Sequence, residues 1–127
     1  MSDLRFSEFG TRKLSAKRMV YDMVMSVLTD IQAQYYPESK VVSPMSESVW
    51  SIQHELGQRV YRDRPVVIYA ADVKVFLEMD DDGEPSGFRC VRYLRAEDEK
   101  GRMIESNSVL ATDALRACLT KLHQSND

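Results

Sequence analysis

The chain has 127 residues, enough for one hydrophobic core but not for two. Hydrophobic residues make up 43% of it and charged residues 29%, which is typical of globular proteins and excludes a disordered or fibrous chain. Its net charge of -3 disfavours a dedicated duplex-DNA binder, which relies mainly on neutralising phosphates. We therefore expect a single domain spanning residues 1–127.

The amino terminus and the two cysteines indicate the compartment. Residues 1–13 lack the apolar core of a secretory signal, and no apolar run reaches the roughly 20 residues that a membrane-spanning helix needs. Cys90 and Cys118 are too few for a disulfide framework, and they lack the spacing of metal ligands. We expect a cytoplasmic protein with reduced thiols and no membrane partner.

Two helices are predicted before the first strong strand. Residues 1–13 have no clear period and are expected to form an arm. From residue 16 to 35 the apolar side chains recur with the 3.6-residue period of an amphipathic helix that faces a core. Ser43 and Pro44 then suit the cap and first turn of a second helix. The apolar positions of that helix share one face: Met45, Val49, Ile52, Leu56 and Val60.

The densest run of β-branched residues covers 65–79 and opens a strand-rich block that reaches residue 110. Alternation places Val73, Val75 and Leu77 on one uninterrupted apolar face. The other face is apolar in the first half and mixed in the second. We therefore expect the strand to be buried on both sides from 66 to 70 and on one side from 72 to 78.

A polar turn at 80–87 leads into a strand at 88–96, and a weaker strand is predicted at 102–106. Residues 40–42 form a further short extended piece. The last helix carries Leu115, Cys118, Leu119 and Leu122 on one face, and residues 125–127 should fray. The sequence thus predicts an α+β fold with two N-terminal helices, a three- to four-stranded antiparallel sheet, and a C-terminal helix packed on one face.

Motifs for catalysis or for metal binding are missing from the sequence. Glu78, Asp80 and Asp82 match three ligand positions of a calcium loop, but Arg89 stands where a bidentate carboxylate is required. A solvated hairpin turn is the better interpretation of that acidic stretch. Nucleophile motifs, zinc spacings and phosphate-binding glycine runs are absent. We predict no catalytic residue, no metal and no cofactor, and only unpatterned carboxylates leave room for an enzyme.

The charge is spread unevenly along the chain. Arg59, Arg62 and Arg64 cluster in the middle of the sequence, and residues 78–84 are acidic. Blocks of this kind are typical of solvated faces.

The candidate binding surface is the second face of the predicted sheet. Interleaved arginines and aromatic rings are typical of a protein interface, whether with another protein or with a second copy of the chain. The same residue types also stack bases and contact phosphates. A third interpretation is a half-covered face with charged stems lying over it. We favour a protein partner, with nucleic acid or a nucleotide as the alternative. The predicted binding residues are Lys74, Phe76, Arg89, Tyr93 and Arg95.

Two segments resemble small phage-encoded ABA-sandwich proteins: SPMSESVWSIQHEL at 43–56 and ATDALRACLTKL at 111–122. Those proteins have a serine-started helix with a buried tryptophan, then strands, then a terminal helix. The resemblance implies a phage or mobile-element accessory protein, which would act as an inhibitor or adaptor of a host protein complex, and it carries over no catalytic residue. In size, acidity and α+β content the chain also resembles secretion chaperones, although two helices before the first strong strand depart from their usual order.

Overall fold

The computed structural model of the chain describes residues 8–43, 48–95 and 99–124. Five strands form one sheet in chain order, each antiparallel to its neighbours. The α+β class is confirmed, with one N-terminal helix instead of two and five strands instead of three or four. The elements are α1 (Glu8–Tyr35), β1 (Lys40–Val42), β2 (Val49–Tyr61), β3 (Arg64–Met79), β4 (Pro85–Tyr93), a 3₁₀ turn (Glu99–Gly101), β5 (Arg102–Asn107) and α2 (Thr112–Gln124).

The first helix begins earlier than residue 16. Positions 8–13 of the expected arm belong to α1, and residues 1–7 lie outside the described part of the chain. The apolar stripe in the second half of α1 packs onto the sheet with the predicted helical spacing. Its fully buried members are Val24, Val27, Leu28 and Ile31.

The chain leaves α1 through a turn that a glutamine side chain holds in place. The amide nitrogen of Gln32 donates to the carbonyl oxygens of Tyr36 and Ser39, both at 2.9 Å. The Tyr36 carbonyl oxygen also accepts the Ser39 N–H at 3.0 Å, so the side chain and the backbone close the turn together. The turn therefore aims the chain directly into β1, where residues 40–42 are extended as predicted.

The predicted second helix is wrong, because β2 occupies most of it and residues 44–47 lie outside the described ranges. Trp50 and Ile52 alternate into the core and are 1% and 0% exposed. Gly57 has a φ of 154°, which is far from helical values and which few other residues tolerate. Pairing with β3 supplies the backbone hydrogen bonds of this segment, so the neighbouring strand overrides the apparent helical period.

A two-residue turn joins β2 to β3. Its residues, Arg62 and Asp63, have φ values of 50° and 64°, as a tight hairpin requires. Counting from the turn, the second pair of the hairpin is Val60 with Pro65. Because proline has no N–H, this must be a pair without mutual hydrogen bonds, and the Pro65 nitrogen faces the outer edge of the hairpin.

The β2–β3 hairpin extends past its neighbours. β1 pairs only with residues 51–53 of β2, and β4 pairs only with residues 73–79 of β3. Residues 55–69 form a two-stranded ribbon about 20 Å long, at about 3.3 Å per residue; we call it the hairpin arm. The expected burial of 66–70 on both sides is wrong, because Val66 and Tyr69 are 39% and 40% exposed.

The core lies between the sheet and both helices, on one face of the sheet. Trp50, Val75 and Cys90 stand opposite one another on β2, β3 and β4, and all are buried against the helices. The predicted apolar face of the last helix is confirmed, and residues 125–127 lie outside the described part. That face consists of Leu115, Cys118, Leu119 and Leu122, none of them more than 6% exposed.

Candidate functional site

The face of the sheet opposite the helices carries most of the predicted binding residues. Side chains alternate along β3, so Lys74 and Phe76 lie on the side away from the buried Val75. On β4, the register places Val91 opposite Lys74 and Arg89 opposite Phe76. We call this side of β3 and β4 the open face.

Two pairs of a cation and an aromatic ring are formed across the open face. The Arg89 guanidinium carbon lies 4.4 Å from the centre of the Phe76 ring, and the Lys74 ammonium lies 5.6 Å from that of Tyr93. Such contacts contribute about 0.5–1 kcal/mol each at exposed sites. The Glu78 carboxylate lies 3.6 Å from Arg89 Nε and offsets part of its charge. The face is therefore internally ordered before any partner binds.

Val91 lies beneath these pairs and is only 2% exposed, although it is on the side away from the helices. Arg89 and Tyr93 flank it along β4, and Lys74 stands opposite it on β3. The apolar stems of long side chains cover such positions while their charged ends stay in water. The structure thus brings four of the predicted residues together around one apolar centre.

Arg95 is the predicted binding residue that the structure leaves outside this group. It follows the end of β4, in the bend that leads to the 3₁₀ turn. Its Cγ would lie 3.5 Å from a Cβ at Gly101, so its stem packs beside the β4–β5 connection. Its side chain is exposed.

The hairpin arm is a second candidate surface, and sequence reasoning missed it. Among the described residues, five of the ten exposed large hydrophobic side chains lie on this one hairpin. The short turn at Arg62 and Asp63, between β-branched and aromatic residues, was the signal that could have identified it. The five, with their exposed fractions, are Val60 (77%), Tyr61 (63%), Leu56 (56%), Tyr69 (40%) and Val66 (39%).

The arm is also basic at its end. Arg62 lies in the turn, with its guanidinium carbon 5.3 Å from the centre of the Tyr61 ring. Arg64 faces Tyr61 across the hairpin, and Arg59 stands opposite Val66. At the base of the arm, the Lys40 ammonium lies 4.2 Å from the centre of the Tyr69 ring. Arginine and tyrosine are enriched in protein interfaces.

A bulge at Asp72 marks the base of the arm. Ile52 pairs with Val73 and Gln53 with Ala71, which leaves Asp72 without a partner residue on β2. The Asp72 carboxylate accepts hydrogen bonds from Ser39 Oγ at 2.9 Å and from His54 Nδ1 at 2.9 Å. Serine and histidine both contact the carboxylate and not each other, so this cluster lacks the contact between nucleophile and base that acyl transfer needs.

A second polar cluster joins the end of α1 to the end of α2. His123 Nδ1 lies 2.7 Å from the Leu119 carbonyl oxygen, and that nitrogen must donate because a carbonyl only accepts. Nε2 then accepts from the Tyr36 hydroxyl at 2.7 Å. Burial lowers the pKa of His123, Arg92 lowers it further, and the bond to Leu119 partly offsets both. The imidazole is thus held neutral.

Because the His123 imidazole is neutral in the folded protein, the free energy of unfolding should depend on pH. The folded protein binds a proton at His123 less readily than the unfolded chain, whose pKa is about 6.5. The contribution of His123 to the free energy of unfolding is therefore complete above pH 6.5. It declines below that pH, by at most about 1.4 kcal/mol per pH unit. We expect His123→Gln to reduce this decline in urea unfolding followed by Trp50 fluorescence. Equal slopes for wild type and variant would contradict the prediction.

The two cysteine thiols and the carboxylate of the calcium-like stretch are engaged in the fold itself. Burial raises the pKa of the Cys90 and Cys118 thiols and keeps them protonated. Asp80 Oδ1 accepts the N–H groups of Asp82 and Glu84, both at 2.9 Å, so the carboxylate of the calcium-like stretch shapes a turn. Within the described ranges, no group of three or more acidic, histidine or cysteine side chains is arranged to hold a metal ion.

Comparison with known proteins matches the chain to no family model, no curated protein and no solved structure. Neither described helix combines the length and the apolar character that crossing a bilayer requires.

Proposed function

We propose that this protein acts without catalysis, as a binding protein that docks onto another protein through its open face and hairpin arm. The observation that carries the proposal is the concentration of exposed apolar side chains on the arm. Exposed apolar residues gathered on one element are typical of a surface that a partner covers. The tyrosines and arginines beside them match the composition of protein interfaces.

Nucleic acid is less well supported as the partner of the same surface. Base stacking requires an accessible ring face, whereas the Phe76 and Tyr93 rings each have a cation near them. Glu78 offsets the charge of Arg89, and the net charge of -3 opposes contact with phosphates. Exposed Val60 also has no role in binding a phosphate backbone.

In biological terms we infer an accessory factor of a phage or mobile element that inhibits or links components of a host complex. This origin rests on the resemblance of the segment 111–122, because residues 49–56 of the other resembling segment lie in β2 and not in the helix that those proteins have. The inference includes a cytoplasmic location, which the free thiols of Cys90 and Cys118 support because reducing compartments preserve them. A secretion-chaperone-like role has the same physical basis, an apolar surface that holds a protein client.

An affinity experiment with matched variants tests the protein-binding proposal. Immobilised wild-type protein should retain a specific protein from a lysate of the source cells. Phe76→Ala/Val60→Ala should reduce retention about tenfold or more, because truncating a central apolar contact costs more than about 1 kcal/mol. Thr120→Ala, on the last helix away from this surface, serves as the control. Equal retention by the double variant would overturn the proposal, as would a protein that neither retains a partner nor associates with itself.

A binding assay with short single-stranded DNA and RNA tests the alternative. We expect no change in fluorescence anisotropy when wild-type protein is added at low salt. Salt-sensitive binding that Arg89→Glu/Arg95→Glu abolishes would replace the protein partner with a nucleic acid.

A further inference from the structure

The two ends of β3 carry opposite charges. Residues 59–64, around the arm turn, include three arginines and one aspartate. The turn between β3 and β4, at 80–84, has four acidic residues, and Glu78 stands just before it. We call these the arm tip and the acidic turn. They lie about 50 Å apart along the strand, at about 3.3 Å per residue.

Within the described part of the chain, the arm-tip arginines and the acidic residues at 80–84 form no ion pair, whereas Glu78 pairs with Arg89 at 3.6 Å. Among the arm-tip arginines, Arg62 lies over the Tyr61 ring. In the acidic turn, Asp80 accepts backbone N–H groups, and Asp81 and Asp82 have no basic partner among the described residues. Each end can therefore attract a group of opposite charge from outside the molecule.

The side of the arm that continues the open face is apolar near the turn and carries the exposed polar side chains of Gln58 and Glu55 farther from it. The register and the alternation of β3 place Val67 and Tyr69 on this side, with Val60 opposite Pro65 on the same side. Val60 is 77% exposed. The apolar part of this side therefore matches the rings and aliphatic stems of the open face in chemical character.

An antiparallel arrangement of two copies satisfies the charge and the apolar surface together. When two β3 strands run in opposite directions about a two-fold axis, each arm lies across the other copy's open face. The arm tip of each copy then reaches the acidic turn of the other. Both contacts occur twice, as in an isologous interface that closes on itself.

We propose that the open face and the hairpin arm bind a second copy of this chain, in an antiparallel dimer in which each arm tip contacts the other copy's acidic turn. This inference rests on the proposed function, because it names the protein that occupies the same surface. The complementary charge of the two ends favours a second copy over an unrelated partner.

A charge-swap experiment tests the dimer. Sedimentation equilibrium at low salt should give wild-type protein about twice the monomer mass of 14.6 kDa. Arg62→Glu/Arg64→Glu and Asp81→Lys/Asp82→Lys should each weaken self-association at least tenfold, because each places like charges together twice. A mixture of the two variants should restore the dimer. In the mixed dimer the reversed arm tip of one variant meets the reversed acidic turn of the other, and the unchanged arm tip meets the unchanged acidic turn. Glu38→Lys, an exposed charge change elsewhere, is the control and should dimerise normally.

Several results would overturn the inference. A wild-type monomer at every concentration would do so, as would a dimer that neither double variant weakens. Association without limit would also do so, because it indicates a head-to-tail contact that does not close. A monomer that still retains a lysate protein through Phe76 and Val60 would remove the dimer alone. A monomer that retains nothing would remove the proposed function as well.

Discussion

Phe88→Ala is expected to lower the free energy of unfolding by about 3–5 kcal/mol, because the truncation leaves a cavity that the surrounding core cannot fill. Phe88 is 0% exposed and stands opposite Leu77 on β3 and Asn107 on β5. It therefore lies between two paired strands and belongs to the core beneath the helices. Such a loss approaches the total stability of many small domains, which is about 5–15 kcal/mol.

Urea unfolding followed by the fluorescence of Trp50, the one tryptophan of the chain, measures this loss. Trp50 is 1% exposed, so its emission should shift to longer wavelength on unfolding. Met19→Ala is a control that removes apolar atoms from a helix position that is 70% exposed, and it should change stability by less than about 0.5 kcal/mol. Similar losses for Phe88→Ala and Met19→Ala would contradict the described core.

Gly87→Ala is expected to destabilise the fold by about 1–3 kcal/mol or more, by forcing two strands apart. A Cβ at this position would collide with the backbone carbonyl oxygen of Asn107 and would lie 2.9 Å from the Cα of Ser108. Both contacts are with backbone, which cannot rotate away as a flexible side chain can. Gly87 is thus required by the close approach of β4 to the end of β5.

Gly101→Ala provides the control for this steric effect. A Cβ at Gly101 meets the Arg95 side chain at 3.5 Å, an ordinary contact distance. We expect the thermal midpoint of Gly101→Ala to remain near that of the wild type and that of Gly87→Ala to fall by several degrees. A Gly87→Ala variant as stable as Gly101→Ala would show that the two strands are not so close.

The elements that the sequence predicted correctly are those with an unambiguous period. The second half of α1, the strand β3 and the helix α2 each have apolar positions that fit one period only. In the segment 49–61, Val49, Ile52 and Val60 fit helical spacing. Trp50, Ile52 and Val60 are separated by even numbers of residues and fit one face of a strand. The conformation of this segment is decided by its pairing with β3. The turn between the two strands contains no glycine, so it lacks the usual hairpin sequence.

The candidate site was predictable to a similar extent. Alternation within each strand is enough to assign Lys74 and Phe76, or Arg89 and Tyr93, to one face. The exposure of the arm was not predictable, because it depends on where neighbouring strands stop and not on the local residues. The bond between Tyr36 and His123 joins positions 87 residues apart and depends on how the helices pack.

Pro65 has a consequence for solubility that follows from its place on the hairpin. A long ribbon with free edges and β-branched residues is a template onto which further strands can add, and such addition leads to aggregation. The nitrogen of Pro65 faces that edge and offers no hydrogen to an incoming strand. The neighbouring charge of Arg64 adds a second barrier. These two residues act as gatekeepers, so that the arm presents its side chains to a partner while its edge resists polymerisation.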